Sequence, residues 1–263
     1  MSRQNYYCQR KRRRRQEVDG DVIEQLVQQE RRVQCRIGGR KLHRVLEGPL
    51  AEAKIKIGRD RFMEVLGQRK LLLPRRRAAF PCTTQSDHYL PVFTNQIKGR
   101  RLSRPNEVWV SDVTYLRSLE GVQYLALITD KWSRKVVGYH CGNTLEAKGA
   151  LKALEMALQE MPDCARPIHH SDRGSQYCSH EYVQRLSERG LGISMTETDH
   201  CAENALAERV NGILKSEYAL DQEYQTKLQV RQAVDQAIHL YNTRRLHTAL
   251  NYRVPAAVHA QTN

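Results

Sequence analysis

"HHSDRGSQY", residues 169–177, closes the short apolar run at Pro167 and Ile168 by setting a carboxylate between two histidines and an Arg173–Gly174 turn. Two readings are open. Asp172 is a turn residue, or it is one ligand of a metal-binding carboxylate cluster whose partners lie elsewhere in the chain. On the second reading the stretch decides the fold, because open α/β sheets build their sites at the carboxyl ends of their strands.

The surroundings read as such a sheet. "EVWVSDVTYL" (107–116) alternates, "VQYLALITD" (122–130) follows Gly121, and "RKVVGYHC" (134–141) follows a short turn, giving an antiparallel meander of three strands. A helix over about 144–161 carries Leu151, Leu154 and Leu158 and is closed by Pro162. "RPIHHS" is then a short strand, followed by a helix over about 180–189, the strand "LGISMT", and long helices over about 202–219 and 226–244. Three antiparallel strands followed by alternating helix and strand predict a mixed α/β sheet.

Asp112 sits mid-strand among Val108, Trp109, Val110 and Val113, where an ionised group is costly unless it is paired or ligating. If its strand lies beside the one ending at Ser171, Asp112 and Asp172 meet at the strands' carboxyl ends. Two such charges about 4 Å apart repel by several kcal/mol at an intermediate dielectric, which a divalent cation relieves. Oxygen ligands point to magnesium or manganese. "CAENALAERVNGILKSEY" (201–218) offers a third acid: Leu206, Val210, Ile213 and Leu214 form an apolar stripe, and Asn204, Glu208, Asn211 and Lys215 line the opposite face. The competing reading of Glu208 is a solvated Glu–Lys face. His169 and His170 suit structural or substrate-contact roles better than magnesium ligation, and Asp130 is read as holding the turn before "KWSR".

The chain of 263 residues carries 43 Lys plus Arg against 29 Asp plus Glu, a formal +14, so polyanions, nucleic acid first, are the expected partners. No apolar run approaches the roughly 20 residues of a spanning helix, and nothing reads as a secretory signal, so the expected location is cytoplasmic. The seven cysteines are scattered without a C-x-x-C pair, which suggests neither a disulfide framework nor a thiolate zinc site. The basic run "QRKRRRRQEV" (9–18) reads as a solvated or disordered arm, with phosphate contact as its role in a DNA-binding protein. After it, Val22, Ile23, Leu26 and Val27, then Leu42, Val45 and Leu46 past Gly38–Gly39, then Phe62, Val65 and Leu66 mark three short helices, a helix-turn-helix-like module. Lys54, Lys56, Arg59 and Arg61 cluster at the start of the third, where a reading helix meets DNA; the alternative is a small bundle with solvated cations. The expected organisation is an arm at 1–18, a DNA-binding domain at 19–76, a linker at 77–105 and a catalytic core at 106–263.

Asp112 and Asp172 are 60 residues apart, and 35 residues separate Asp172 from Glu208. With "IGRDR", "WVSDVTYL", "YLALITDKWSRKVVGYH", "HHSDRGSQY", "ENALAERVNGILKSE" and "YNTRRLHTALNYRVP", the chain from about 20 to 258 resembles the D-D-(35)-E transposases and retroviral-type integrases, specifically the IS-three family of insertion-sequence transposases. The resemblance implies a ribonuclease-H-like catalytic domain with a mixed five-stranded sheet, preceded by an all-α helix-turn-helix domain. It implies that Asp112, Asp172 and Glu208 hold two Mg2+ ions, with Mn2+ able to substitute, and that Lys215 approaches the DNA end. The implied activity is cleavage at transposon ends and strand transfer, the first attack joining one end of the element to the other.

The implied partners are double-stranded DNA, both terminal inverted repeats and target, further copies of the chain on that DNA, and an upstream-frame helix-turn-helix and leucine-zipper product, separate or fused. The implied setting is the bacterial cytoplasm, on the nucleoid when DNA is bound. No heptad zipper of three or more repeats is visible. The loop "TDHCAENA" (198–205) departs from the family's glycine, asparagine and Asp-Asn pattern and leaves Glu203 as a rival third acid. Two other functions compete: a non-catalytic DNA-binding regulator, and a nuclease of the same fold that never joins ends.

Overall fold

The structure, a computed structural model, describes residues 3–74, 89–197 and 200–261. It separates into two units, Met1–Ala79 and Phe80–Asn263.

The first unit is helical: α1 (Arg3–Val33), α2 (Gly39–Val45), α3 (Glu47–Glu52) and α4 (Arg59–Gln68). Ile23, Val27, Leu42, Leu46, Leu50, Phe62 and Leu66 form its core, so the three apolar faces of the sequence do converge. Gly39 lets α2 approach α4, where a Cβ would press on the Met63 side chain. Two details differ from expectation. The basic stretch 9–18 is part of α1, because Arg, Lys, Gln and Glu are good helix formers and no proline separates them from the apolar face beginning at Val22, Gly20 alone being too weak a break to end the helix. The second helix divides at Leu46, since Pro49 has no N–H to continue the α2 ladder but is tolerated in the first turn of α3.

The second unit contains β1 (Val108–Ser118), β2 (Gly121–Asp130), β3 (Val136–Gly142), α5 (Ala147–Gln159), β4 (Ile168–Ser171), α6 (Ser175–Cys178), α7 (His180–Glu188), β5 (Gly192–Met195), α8 (His200–Glu203), α9 (Ala205–Glu217), β6 (Glu223–Tyr224), α10 (Lys227–Thr243) and α11 (Pro255–His259). The sheet runs β3-β2-β1-β4-β5. β1 to β3 are antiparallel, whereas β4 and β5 run parallel to β1. The expected five mixed strands are present, and the two-residue β6 adds to the far end of β1.

Alternate residues of the strands feed two cores. Trp109, Ala126 and Ile128 meet Ala153, Leu154, Tyr177 and Tyr182 from α5 to α7, and Leu116, Leu125 and Leu127 meet Val210, Leu214, Val234 and Ile238 of α9 and α10. Gly138 admits α5 so closely that a Cβ would run into the Ala153 carbonyl. Thr226 and Gln229 form a capping box that starts α10.

The expected linker falls partly outside the described residues. Its later part packs on the core: Gln96 donates from its backbone to Ser194 Oγ (2.9 Å) and from its side chain to the Ile193 carbonyl (2.8 Å), and Ile97 is buried. Edge strand β5 carries polar groups that need partners, and this polar segment supplies them. Among the described residues no helix is long and apolar enough to cross a membrane.

Candidate active site

β1 and β4 pair in parallel with Val108 opposite Ile168 and Val110 opposite His170. That offset of 60 is also the spacing of Asp112 and Asp172, so both acids lie two residues beyond the last pair, at one level of the sheet. β4 stops at Ser171, and Asp172 Oδ1 accepts the Gly174 N–H at 3.0 Å as the chain turns into α6. Asp172 is therefore both a turn residue and the neighbour of Asp112.

The Asp112 carboxylate is tied on both oxygens: Oδ1 accepts its neighbour's N–H from Val113 at 2.8 Å, and Oδ2 accepts Asn211 Nδ2 at 2.8 Å. Burial pushes its pKa up to about 7, the charge of Asp172 adds to this, and Glu208 contributes in the same direction; the two hydrogen bonds pull the other way. Glu208 is exposed on α9. Asn204 and Asn211, from the same helical row, are buried, and Asn204 Nδ2 donates to the Ser111 carbonyl at 2.9 Å. This row is thus not a solvated face, since its asparagines grip β1. Its Lys215 is half-buried, with Nζ 4.6 Å from the Tyr115 ring centroid.

Glu203 lies apart. It ends α8, and Asn204 breaks the backbone before α9, so the single helix expected over 202–219 is two. Glu203 Oε2 accepts the Glu197 N–H at 2.5 Å and Asn95 Nδ2 at 3.1 Å. Residues 198–199 of the departing loop lie outside the described residues.

The two histidines serve the fold. His169 Nε2 is 2.7 Å from Ser111 Oγ and 2.9 Å from Tyr182 Oη, and burial pushes its pKa down to about 3. His170 Nδ1 is 2.9 Å from Ser194 Oγ, and burial followed by Lys131 pushes it down to about 4. Asp130 holds its turn by accepting Ser133 N–H and Oγ, both at 2.7 Å, and also accepts the Asn106 N–H. In the first unit, Lys54 and Lys56 are exposed in the turn before α4, and Arg59 and Arg61 on its first turn pair with Asp60 and Glu64.

Among the described residues no three acids, histidines or cysteines already close on one point as a ready metal cage. Asp112 takes Asn211 as a hydrogen-bond partner. The donor set suits a hard divalent ion: the acids are all oxygen donors, Asp112 makes no ion pair among the described residues, and the buried Asn211 Oδ1 beside it has no hydrogen-bond partner among the described residues. Sequence reasoning placed Asn211 on the right row without its role. An asparagine three residues from a candidate ligand, on the same helical face, is the signal.

The strand order, the helices on both faces and the acid pair where β1 and β4 part define a ribonuclease-H-like integrase core. Residues 103–201 match the family described as Integrase core domain, and residues 189–255 match a second family of that description. The "Insertion element IS600 uncharacterized 31 kDa protein" of Shigella sonnei is 37% identical over 216 residues, 81% of this chain and 79% of that protein. "Transposase InsF for insertion sequence IS3A" of Escherichia coli (strain K12) is 40% identical over 131 residues, 49% of this chain and 46% of its own length. A chain of the simian T-cell lymphotropic virus intasome in complex with PP2A regulatory subunit B56 gamma shares the fold, with a TM-score of 0.53 at 19% identity, over 86% of this chain and 76% of that one. The chain belongs to the IS3 family of insertion-sequence transposases.

Proposed function

We propose that this chain is a D-D-E transposase that cleaves the ends of its insertion element and transfers the freed strands. The observation that carries the reading is the level placement of Asp112 and Asp172 on adjacent parallel strands, with the Asp112 carboxyl raised to about 7 by burial and by its neighbour. Glu208, from a helix bonded to β1 through Asn204 and Asn211, completes the acidic set.

Asp112, Asp172 and Glu208 would hold divalent magnesium or manganese, two ions in the full site. Bound there, a divalent ion lowers the pKa of water and neutralises charge developing on phosphodiester oxygens. Asp112 and Asp172 orient that site from the sheet, Glu208 closes it from α9, and Lys215 faces the DNA end. α4, with Lys54, Lys56, Arg59 and Arg61 at its approach, contacts duplex DNA, consistent with the net charge of +14. The domains act as an arm at 1–18, a DNA-binding module at 19–76, a connection at 77–105 and a core at 106–263. The reading includes assembly of several copies on the two ends, an upstream-frame partner product, and action in the bacterial cytoplasm on nucleoid DNA.

A regulator that only binds DNA has no use for two acids set side by side where β1 and β4 part. The test is incubation of the chain, with and without the upstream product, on labelled end-sequence DNA with Mg2+. Joined products are expected, and Asp172→Asn should remove both cleavage and joining while keeping the fold, since an amide oxygen can still accept the Gly174 N–H. Cleavage without joining would make the protein a nuclease. Near-wild-type joining by Asp172→Asn would overturn the assignment.

A further inference from the structure

β2 lines one edge of β1 throughout, but on the other edge β4 reaches only Val108–Val110 and β6 only Arg117–Ser118. Among the described residues, 111–116 have no strand on that edge; Asn204 takes the Ser111 carbonyl and Leu116 is buried, while 112–115 are half-buried. Asp112 lies at the start of this stretch and Tyr115 farther along.

Two cations meet at the Tyr115 ring: Lys215 Nζ is 4.6 Å and Arg117 Cζ 5.8 Å from its centroid. Neither makes a hydrogen bond or an ion pair with an acid among the described residues, whereas Arg185, Arg245 and Arg69 each hold a carboxylate oxygen within 2.5–2.8 Å. Burial lowers the pKa of half-buried Lys215; Asp112 opposes that shift and Arg117 adds to it. A ring quadrupole offsets part of the repulsion between the two cations. An anion bridging them would offset far more.

We infer that Tyr115, Arg117 and Lys215 form a phosphate clamp on this edge of β1, taking the DNA backbone beside Asp112 and Asp172. Arg117 and Lys215 contact the phosphodiester, and Tyr115 is a positioning residue that holds both cations forward. The inference rests on the acid pair marking the site of phosphodiester chemistry.

The test measures equilibrium binding of the full chain to end-sequence DNA across a salt series, in an Asp172→Asn background that prevents turnover. Removing one phosphate-binding cation lowers the slope of log affinity against log salt by about 0.9. Arg117→Ala, at an exposed position that does not threaten the fold, should lower it by that amount. Tyr115→Leu should lower it without removing a charge, and Tyr115→Phe should preserve it. An unchanged slope for Arg117→Ala overturns the clamp, as does an unchanged slope for a folded Tyr115→Leu. The two readings fail separately. Joining that survives Asp172→Asn defeats the catalytic assignment whatever the slopes, and an unchanged slope beside abolished joining defeats the clamp alone.

Discussion

Asn211 donates its side-chain amide to Asp112 Oδ2 at 2.8 Å, from a position three residues beyond Glu208 on the same helix. One hydrogen bond therefore ties the helix that bears the third acid to the strand that bears the first. Together with the bond from Asn204 to the Ser111 carbonyl, it sets where α9 stands along β1. The bond also favours the charged form of Asp112 against burial and Asp172.

The pH dependence of metal-free stability should report this site. An unfolded aspartate titrates near about 3.9, whereas folded Asp112 is raised to about 7. The folded state keeps the proton longer, so the contribution is fully present below about pH 4 and is lost as pH rises to about 7. His169 and His170, lowered to about 3 and 4, act oppositely, because the unfolded imidazoles take protons as pH falls below about 6.5. The difference in unfolding free energy between wild type and Asp112→Asn, measured in chelator, isolates the acid. It should fall between about pH 4 and 7 and then level, and Asn211→Ala should move the upper end of the fall to higher pH. A flat difference would mean that Asp112 behaves as a solvated carboxylate.

The strands and the acid spacing were legible because both rest on local rules. The alternation of Val108 to Leu116 marks β1, and the offset of 60 between the acids is the register of β1 on β4. What the sequence hid depends on tertiary partners. Residues 95–97 read as linker because Asn95 and Gln96 are polar, yet Gln96 bonds Ser194 and Ile193 of β5 and Asn95 bonds Glu197 just beyond it. Asn204 reads as helix interior but turns its amide to Ser111 and breaks the helix there. Short elements such as α6, β6 and α11 carry too few residues to show a period.

Arg245 shows how the C-terminal segment supports the site. It is buried, its Nε and Nη2 each lie 2.8 Å from Glu217 carboxylate oxygens at the end of α9, and its guanidinium stands 5.7 Å from the Tyr241 ring centroid. Arg245→Ala removes this buried two-pronged contact and should cost about 3 kcal/mol by urea unfolding. Arg245→Lys should recover little, since an ammonium cannot reproduce the two-pronged contact. Full rescue by lysine would show that charge alone matters there.

Arg59 and Arg61 pair with exposed acids, Asp60 and Glu64. Such pairs are worth about 0–1 kcal/mol, so DNA phosphates can displace them. Replacing both with Ala should leave the melting temperature within a degree or so and lower the salt slope of end binding by about 0.9 for each arginine that touches a phosphate. An unchanged slope would assign both to the solvated surface or to base contacts alone.

Glu203 and Glu208 separate by surroundings. Glu203 Oε2 accepts the Glu197 N–H and the Asn95 amide, so its carboxylate fastens the segment before β1 to the loop after β5. Glu208 is exposed at the start of α9, one turn before Asn211 on the same row, and its charge already bears on Asp112. Glu203→Gln keeps an oxygen to accept one of its two bonds and should lower stability by about 1 kcal/mol, with joining retained once the protein is folded. Glu208→Gln should leave stability nearly unchanged, abolish joining and weaken Mn2+ binding measured by calorimetry, because the amide removes a charge the ion needs. The opposite pattern, with joining lost in Glu203→Gln and kept in Glu208→Gln, would move the third acid into the loop and make the 35-residue spacing a coincidence.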